Sequence, residues 1–239
     1  MNQSKYDQES IYDKKWLILN KYSFAFTYIP FVKIVFGSGS LALGNVSENS
    51  DLDVLICTKQ GRIFTVRFIA HLILLILGVR RSKEHGSAQA KDKVCLNHFL
   101  AENNYQLTKK SNKYYELLYQ HLVPVFGKEE EINDFYSKNI TRLHALDTRH
   151  IHTKQKPVIR RIEAILEGKA GDILEKVLKA VQVYKIKKGG VSKRYQKTNI
   201  YTKDIDKPVK LKLKPSLVYT DSELEFHPEG LEINILRQM

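Results

Sequence analysis

Cysteine, tryptophan and methionine are scarce in this chain: two Cys, one Trp and two Met among 239 residues. Two cysteines exclude a disulfide framework. Cys57 and Cys95 both sit inside apolar, strand-like runs, which reads as buried reduced thiols in a cytoplasmic protein. Nothing basic adjoins either one in sequence to activate it, although neighbouring strands would bring the two close. The chain also has no apolar run near the roughly 20 residues that a bilayer crossing requires. Its best stretch, 64–79, is interrupted by Arg67 and His71 and reads as a buried helix, with interfacial attachment as the alternative. The polar start M-N-Q-S-K-Y-D-Q-E-S has no apolar core of the kind a secretion signal needs. No internal repeat is visible. Acidic residues are outnumbered, 26 Asp and Glu against 39 Lys and Arg, so the formal charge is +13. That excess calls for a polyanionic partner (nucleotide, nucleic acid or acidic membrane surface) without choosing among them. With 43% hydrophobic residues the chain is globular, one sizeable domain or a core with a helical appendage.

The informative stretch is residues 35–56, V-F-G-S-G-S-L-A-L-G-N-V-S-E-N-S-D-L-D-V-L-I. An apolar strand over 32–36 runs into a Gly/Ser turn, and a second over 52–57 starts among two aspartates. Side chains alternate along a strand, so Asp51 and Asp53 emerge on one side while Leu52 turns into the core. Two such carboxylates repel unless a cation sits between them, and hard oxygen donors suit Mg²⁺ or Mn²⁺. Gly39 permits a backbone approach that a side chain would block, and Ser40 is placed to cap a short helix whose N–H groups face an anion. Gly37-Ser38, one step upstream, offers a second register. A plain turn followed by solvated aspartates is the simpler alternative, and it leaves the paired carboxylates unexplained.

In chain order, residues 7–26 carry a helical pattern in which Ile11, Trp16, Leu17, Leu19 and Tyr22 share an apolar face, and Pro30 launches the first strand. After the second strand, 59–61 form a turn and 62–77 an apolar helix ended by Gly78. Residues 80–92 read as a charged loop and 93–100 as a third strand; helices on a sheet follow from this alternation. Asn97 lies mid-strand, and His98 is expected on the opposite face. Helices are expected over 112–122, before the breakers Pro124 and Gly127, and over 129–146. His144, His150 and His152 fit no zinc spacing and read as a basic turn. Residues 158–186 are amphipathic with a break at Gly168 and Gly171, expected to close over the sheet or pack on a partner. The basic, aromatic-interleaved stretch 185–214 suits nucleic-acid contact or a solvated linker, and an alternating strand at 210–214 is expected to pair with 217–226.

Gly39-Ser40, Ala42, Gly44 and Ser50-Asp51-Leu52-Asp53, flanked by apolar strands, resemble the G-S-x-A-x-G…S-D-x-D motif of the DNA polymerase beta-like nucleotidyltransferase superfamily. G-R-I-F-T-V-R-F, K-V-C-L-N-H-F-L and S-L-V-Y-T-D-S-E-L-E-F-H-P more loosely resemble uncharacterised bacterial nucleotidyltransferase-domain proteins. The resemblance implies an α/β fold with a mixed α+β sheet: a nucleotidyltransferase-like core over 1–125, a helical region over 126–186 and a basic extension over 187–239 with a possible hairpin. It also implies transfer of a nucleoside monophosphate from a nucleoside triphosphate to an unknown acceptor (a small molecule, a protein or RNA) with release of pyrophosphate. Asp51 and Asp53 would hold Mg²⁺ or Mn²⁺, and Gly39 and Ser40 would cradle phosphate.

Two departures stand out. Relatives supply a third carboxylate from the next strand, where this chain has Asn97; Glu102 would have to bend back to replace it. Relatives place an arginine where this chain has Leu43, leaving Lys59, Arg62 and Arg67 as candidate phosphate cations. The alternative function is a nucleotide- or nucleic-acid-binding module of the same fold with impaired turnover.

Overall fold

The computed structural model describes residues 3–81, 87–106, 121–139, 152, 154–188 and 215–228. Helix α1 (Gln3–Ser23) passes through a 3₁₀ turn (Phe24–Tyr28) into β1 (Val32–Gly37). A four-residue helix α2 (Gly39–Ala42) precedes β2 (Leu52–Thr58), helix α3 (Ile63–Ile76), the short α4 (Ser87–Ala90) and β3 (Val94–Ala101). Then come β4 (Val123–Gly127), α5 (Glu129–Asn139), α6 (Pro157–Leu166), α7 (Lys169–Lys188), β5 (Pro215–Tyr219) and β6 (Glu223–Pro228). The strands form one six-stranded mixed sheet in the order β4-β1-β2-β3-β6-β5, with β2 and β3 parallel and the other pairs antiparallel. This is the mixed α/β sheet with flanking helices that the sequence predicts, and it is consistent with a nucleotidyltransferase-like core.

Alternation along β2 divides the interior. Leu52, Val54 and Ile56 enter one apolar cluster with α1 and α3, while Leu55 and Cys57 enter a second beneath α5. Phe36, Phe135 and Tyr136 anchor the second cluster, the first two rings 4.7 Å apart; each buried phenylalanine contributes about 2–3 kcal/mol. Helix α3 is apolar on nearly every face, and its N-terminus is capped from outside. The Glu175 carboxylate of α7 accepts hydrogen bonds from Phe64 N, Thr65 N and Thr65 Oγ1 at 2.8, 2.8 and 2.6 Å. An anion there satisfies donors that the helix itself leaves open. α7 is held further by Gln182, which donates to Phe64 O at 2.8 Å and accepts from Arg67 Nη1 at 2.6 Å.

Several expectations are corrected. Leu17 is 70% exposed, whereas Trp16 and Leu19 are buried in the core and Ile11 and Tyr22 pack against it. Pro124 and Gly127 belong to β4, an edge strand, where a missing N–H costs little. Helix α5 is described over Glu129–Asn139, and the rest of the helix expected over 129–146 lies outside the described residues. Gly168 marks the break between α6 and α7, whereas Gly171 lies inside α7, where a Cβ would strike the Leu166 carbonyl. Residues 217 and 226 pair with each other in the β5–β6 hairpin, which joins the sheet beside β3. The expected strand at 210–214, most of the basic stretch 185–214, the helix over 112–120, and His144 and His150 lie outside the described residues.

Candidate functional site

The two glycines of the motif do different work. Gly37 ends β1 under α1, where an added Cβ would lie 2.5 Å from the Trp16 ring, so its bareness admits the indole. Gly39 has φ +62°, and an added Cβ would lie 2.9 Å from both Cβ and Cγ of Asp53. The turn is stitched to β2 at that point by a hydrogen bond from Ser38 N to Asp53 O at 3.0 Å. The register that takes Gly39 as the motif glycine therefore sets its backbone against the second aspartate. Ser40 does not cap α2: the N-cap position is Ser38, extended and without a side-chain cap bond. Ser40 stands half-buried inside the turn, its carbonyl accepting from Asn45 N at 2.9 Å.

Asp51 is placed by the loop before β2. Ser50 Oγ accepts from Ser47 N at 2.9 Å, closing a tight turn. Lys15, 2% exposed on α1, donates to Glu48 O, Ser50 O and Asp92 Oδ1 at 2.8, 2.6 and 2.7 Å. A buried ammonium with all three protons placed on acceptors is satisfied and so is tolerated in the core.

The ligand atoms of Asp51, Asp53 and Cys95 lie within 4.8 Å of one another. Asp53 and Cys95 are register partners across the parallel β2–β3 pair. Asn97 Nδ2 donates to Asp53 Oδ1 at 2.8 Å, so the amide does reach the site. Arg81 is ion-paired with Asp51 Oδ2, and its Nη1 lies 3.9 Å from Cys95 Sγ. Part of the Asp53 side chain reaches solvent, yet burial, reinforced by the charge of Asp51, raises its carboxyl to about 7. The Cys95 thiol is pushed well up by burial and then by Asp53 and Asp51, so it stays protonated at neutral pH. Burial works to lower the Arg81 guanidinium, but the neighbouring acids, Asp51 foremost, outweigh it and hold the proton more firmly than usual.

Among the described residues, the cation that offsets the paired carboxylates is Arg81. The two carboxylate donors fit a hard divalent ion; the protonated thiol does not add a ligand of the right kind.

Other candidates are elsewhere. Glu102 accepts from Gln60 N at 3.2 Å and lies 3.6 Å from Lys33, at the far end of β3. Lys59 is paired with Glu167, Arg62 bonds the carbonyls of Gly61 and Leu166 and pairs with Asp172, and Arg67 is buried against Gln182 and Phe226. None of the three faces the aspartates. His98 does not oppose Asn97, because β3 carries a bulge there: Leu96 registers with Val54 and His98 with Leu55, skipping Asn97. Asn97 and His98 therefore both take the Asp53 side of the sheet. A cavity of about 400 Å³, bordered by Lys33, Lys59, Lys128, Arg160, Glu131 and Glu163, opens at the start of β1. It is roughly 20 Å of strand away from Gly39 and separate from the acidic site.

Sequence reading missed Arg81 and Lys15. A signal for Arg81 was present: parallel strands start at the same end, so the segment entering β3 must pass beside Asp51. Arg81 N donates to Val94 O at 2.9 Å and so travels with β3. No family model, curated protein or solved structure matches the chain.

Proposed function

We propose that the chain is a metal-dependent nucleotidyltransferase, binding a nucleoside triphosphate at the Gly39 turn with Asp51 and Asp53 as the metal ligands. The observation that carries the reading is the contact of Gly39 with Asp53: a glycine in the left-handed region, bare of Cβ, packed on one of two like-charged carboxylates. A turn built only to reverse the chain has no need of that approach. When bound, a divalent ion held by Asp51 and Asp53 supplies charge neutralisation and polarisation of phosphate oxygens.

The chain's own residues do the rest. The Gly39–Ser40 backbone and the Ser40 hydroxyl offer donors to the β- and γ-phosphates. Asn97 holds the Asp53 carboxylate in one orientation. Arg81 supplies the positive charge that Lys59, Arg62 and Arg67 cannot bring, moving from Asp51 to the incoming phosphates. An acceptor oxygen then bonds the α-phosphorus as its bond to the β-phosphate bridge breaks, pyrophosphate leaves, and the acceptor's proton passes to water, since the Asn97 amide takes none.

Incubation with each labelled nucleoside triphosphate, Mg²⁺ and cell extract tests this. Label transfer that disappears in Asp51→Ala and Asp53→Ala supports it. The second reading, a nucleotide-binding module without turnover, is favoured by Asn97 standing where a carboxylate base would. Nucleotide binding with no transfer to any acceptor would select it.

A further inference from the structure

The helical layer over the α3 side of the sheet does not end in a polar surface. α7 turns Glu175, Gln182 and Ile186 inward. At i, i+4, i+8 and i+11 on the opposite side it carries Ile173, Val177, Val181 and Tyr184, which are 62, 54, 45 and 60% exposed. α3, joined to α7 through Glu175 and Gln182, repeats the pattern with exposed Phe68, Leu72, Leu75 and Ile76. α6 adds Val158, Ile162 and Ile165. Single exposed apolar residues need no explanation; stripes at helical spacing on three adjoining helices do.

The charges beside these stripes are sorted by sign. The acids of α7 are spent on the body of the protein, Asp172 on Arg62 and Glu175 on the N-terminus of α3. On α6, Glu163 is bonded to Phe31 N and Gln155 Nε2. Arg161 of α6 and Lys169, Lys176, Lys185, Lys187 and Lys188 of α7 are exposed, and helical spacing sets Lys169, Lys176 and Lys187 along one border of the stripe, Lys185 along the other and Lys188 at its end. Lys188 lies over the Tyr184 ring at 5.4 Å, an aromatic body with a cationic rim. The outward face is thus apolar in the middle and basic at the edges, the pattern of helices that lie in the plane of a bilayer surface.

We propose that this face docks on an anionic lipid surface, with the α7 stripe in the headgroup region and the lysines on lipid phosphates. A second copy is the poorer fit, since each chain carries +13 and would bring the same lysine borders together. The proposal is independent of the nucleotidyltransferase reading.

Co-sedimentation of the full chain with phosphatidylcholine vesicles, and with vesicles containing about one third phosphatidylglycerol, tests it. Binding is expected to be at least about tenfold stronger to the anionic vesicles and to weaken between about 0.1 and 0.5 M salt. Val177→Ser with Val181→Ser preserves charge on an exposed surface; it is expected to lower binding about tenfold with an unchanged circular dichroism melt. Lys187→Gln with Lys188→Gln should flatten the salt dependence. Three results would each overturn the proposal. They are no vesicle binding by the wild type, binding indifferent to the valine substitutions, or a light-scattering dimer that those substitutions disperse, which would assign the face to a second copy.

Discussion

Gly39 and Asp53 touch in a way that leaves no room for a β-carbon: at φ +62° the glycine would put one 2.9 Å from the aspartate's own Cβ and Cγ. Gly39→Ala must therefore displace either the turn or the carboxylate. Expected are a loss of about 1–3 kcal/mol in urea unfolding and at least a tenfold loss in Mn²⁺ affinity by titration. An alanine variant that binds Mn²⁺ like the wild type would remove the cradle from the proposed site.

Asp53 gives a pH dependence of defined sign. Its folded carboxyl, raised to about 7, holds a proton that the unfolded chain releases near 4. Its contribution to stability is therefore intact below pH 4 and falls as pH climbs toward 7. Divalent ions bind the ionised form, so Mn²⁺ affinity should rise by up to about tenfold per pH unit below 7 and level off above. Asp53→Asn should abolish both trends and leave the protein at least as stable at pH 8.

Arg81 and a divalent ion compete for Asp51. Arg81→Ala is expected to tighten Mn²⁺ binding several-fold, about 1 kcal/mol, while weakening Mg²⁺-nucleotide binding about tenfold. Equal losses of both would make Arg81 a structural brace only.

Lys15 acts on the site without touching it. Lys15→Met removes the ammonium that gathers Glu48 O, Ser50 O and Asp92. A loss of about 2–4 kcal/mol in chemical denaturation is expected, with Mn²⁺ affinity falling because the turn before Asp51 loosens. Full affinity in a destabilised variant would confine Lys15 to the core.

Glu175→Ala leaves Phe64 N and Thr65 N without their acceptor at the buried start of α3. It is expected to cost about 1–3 kcal/mol, measured by urea unfolding, with little change at the metal site. Loss of Mn²⁺ binding together with stability would tie α7 to the acidic site.

How much was legible differed by element. β1, β2, α3 and β3 were readable to within a residue or so, because each is a continuous apolar run bounded by a turn, and the placement of Asp51 and Asp53 followed from strand period alone. β4 was not, since Pro124 and Gly127 are punctuation in a local reading and are tolerated only because the strand lies at an edge. The face of His98 was not legible either, because strict alternation cannot anticipate a bulge at Asn97.

By itself the sequence determined which side chains line up along each strand, where the backbone has to be bare, and that two carboxylates share a side, since these follow from local stereochemistry. Only the tertiary structure decided what meets them. Arg81 arrives because the crossover returns beside Asp51, Lys15 because α1 lies over the loop, and Asn97 because β3 pairs with β2 in the register that sets Cys95 opposite Asp53. Those contacts join residues 30 to 44 positions apart, and spacing along a chain does not encode which distant segment packing will bring alongside.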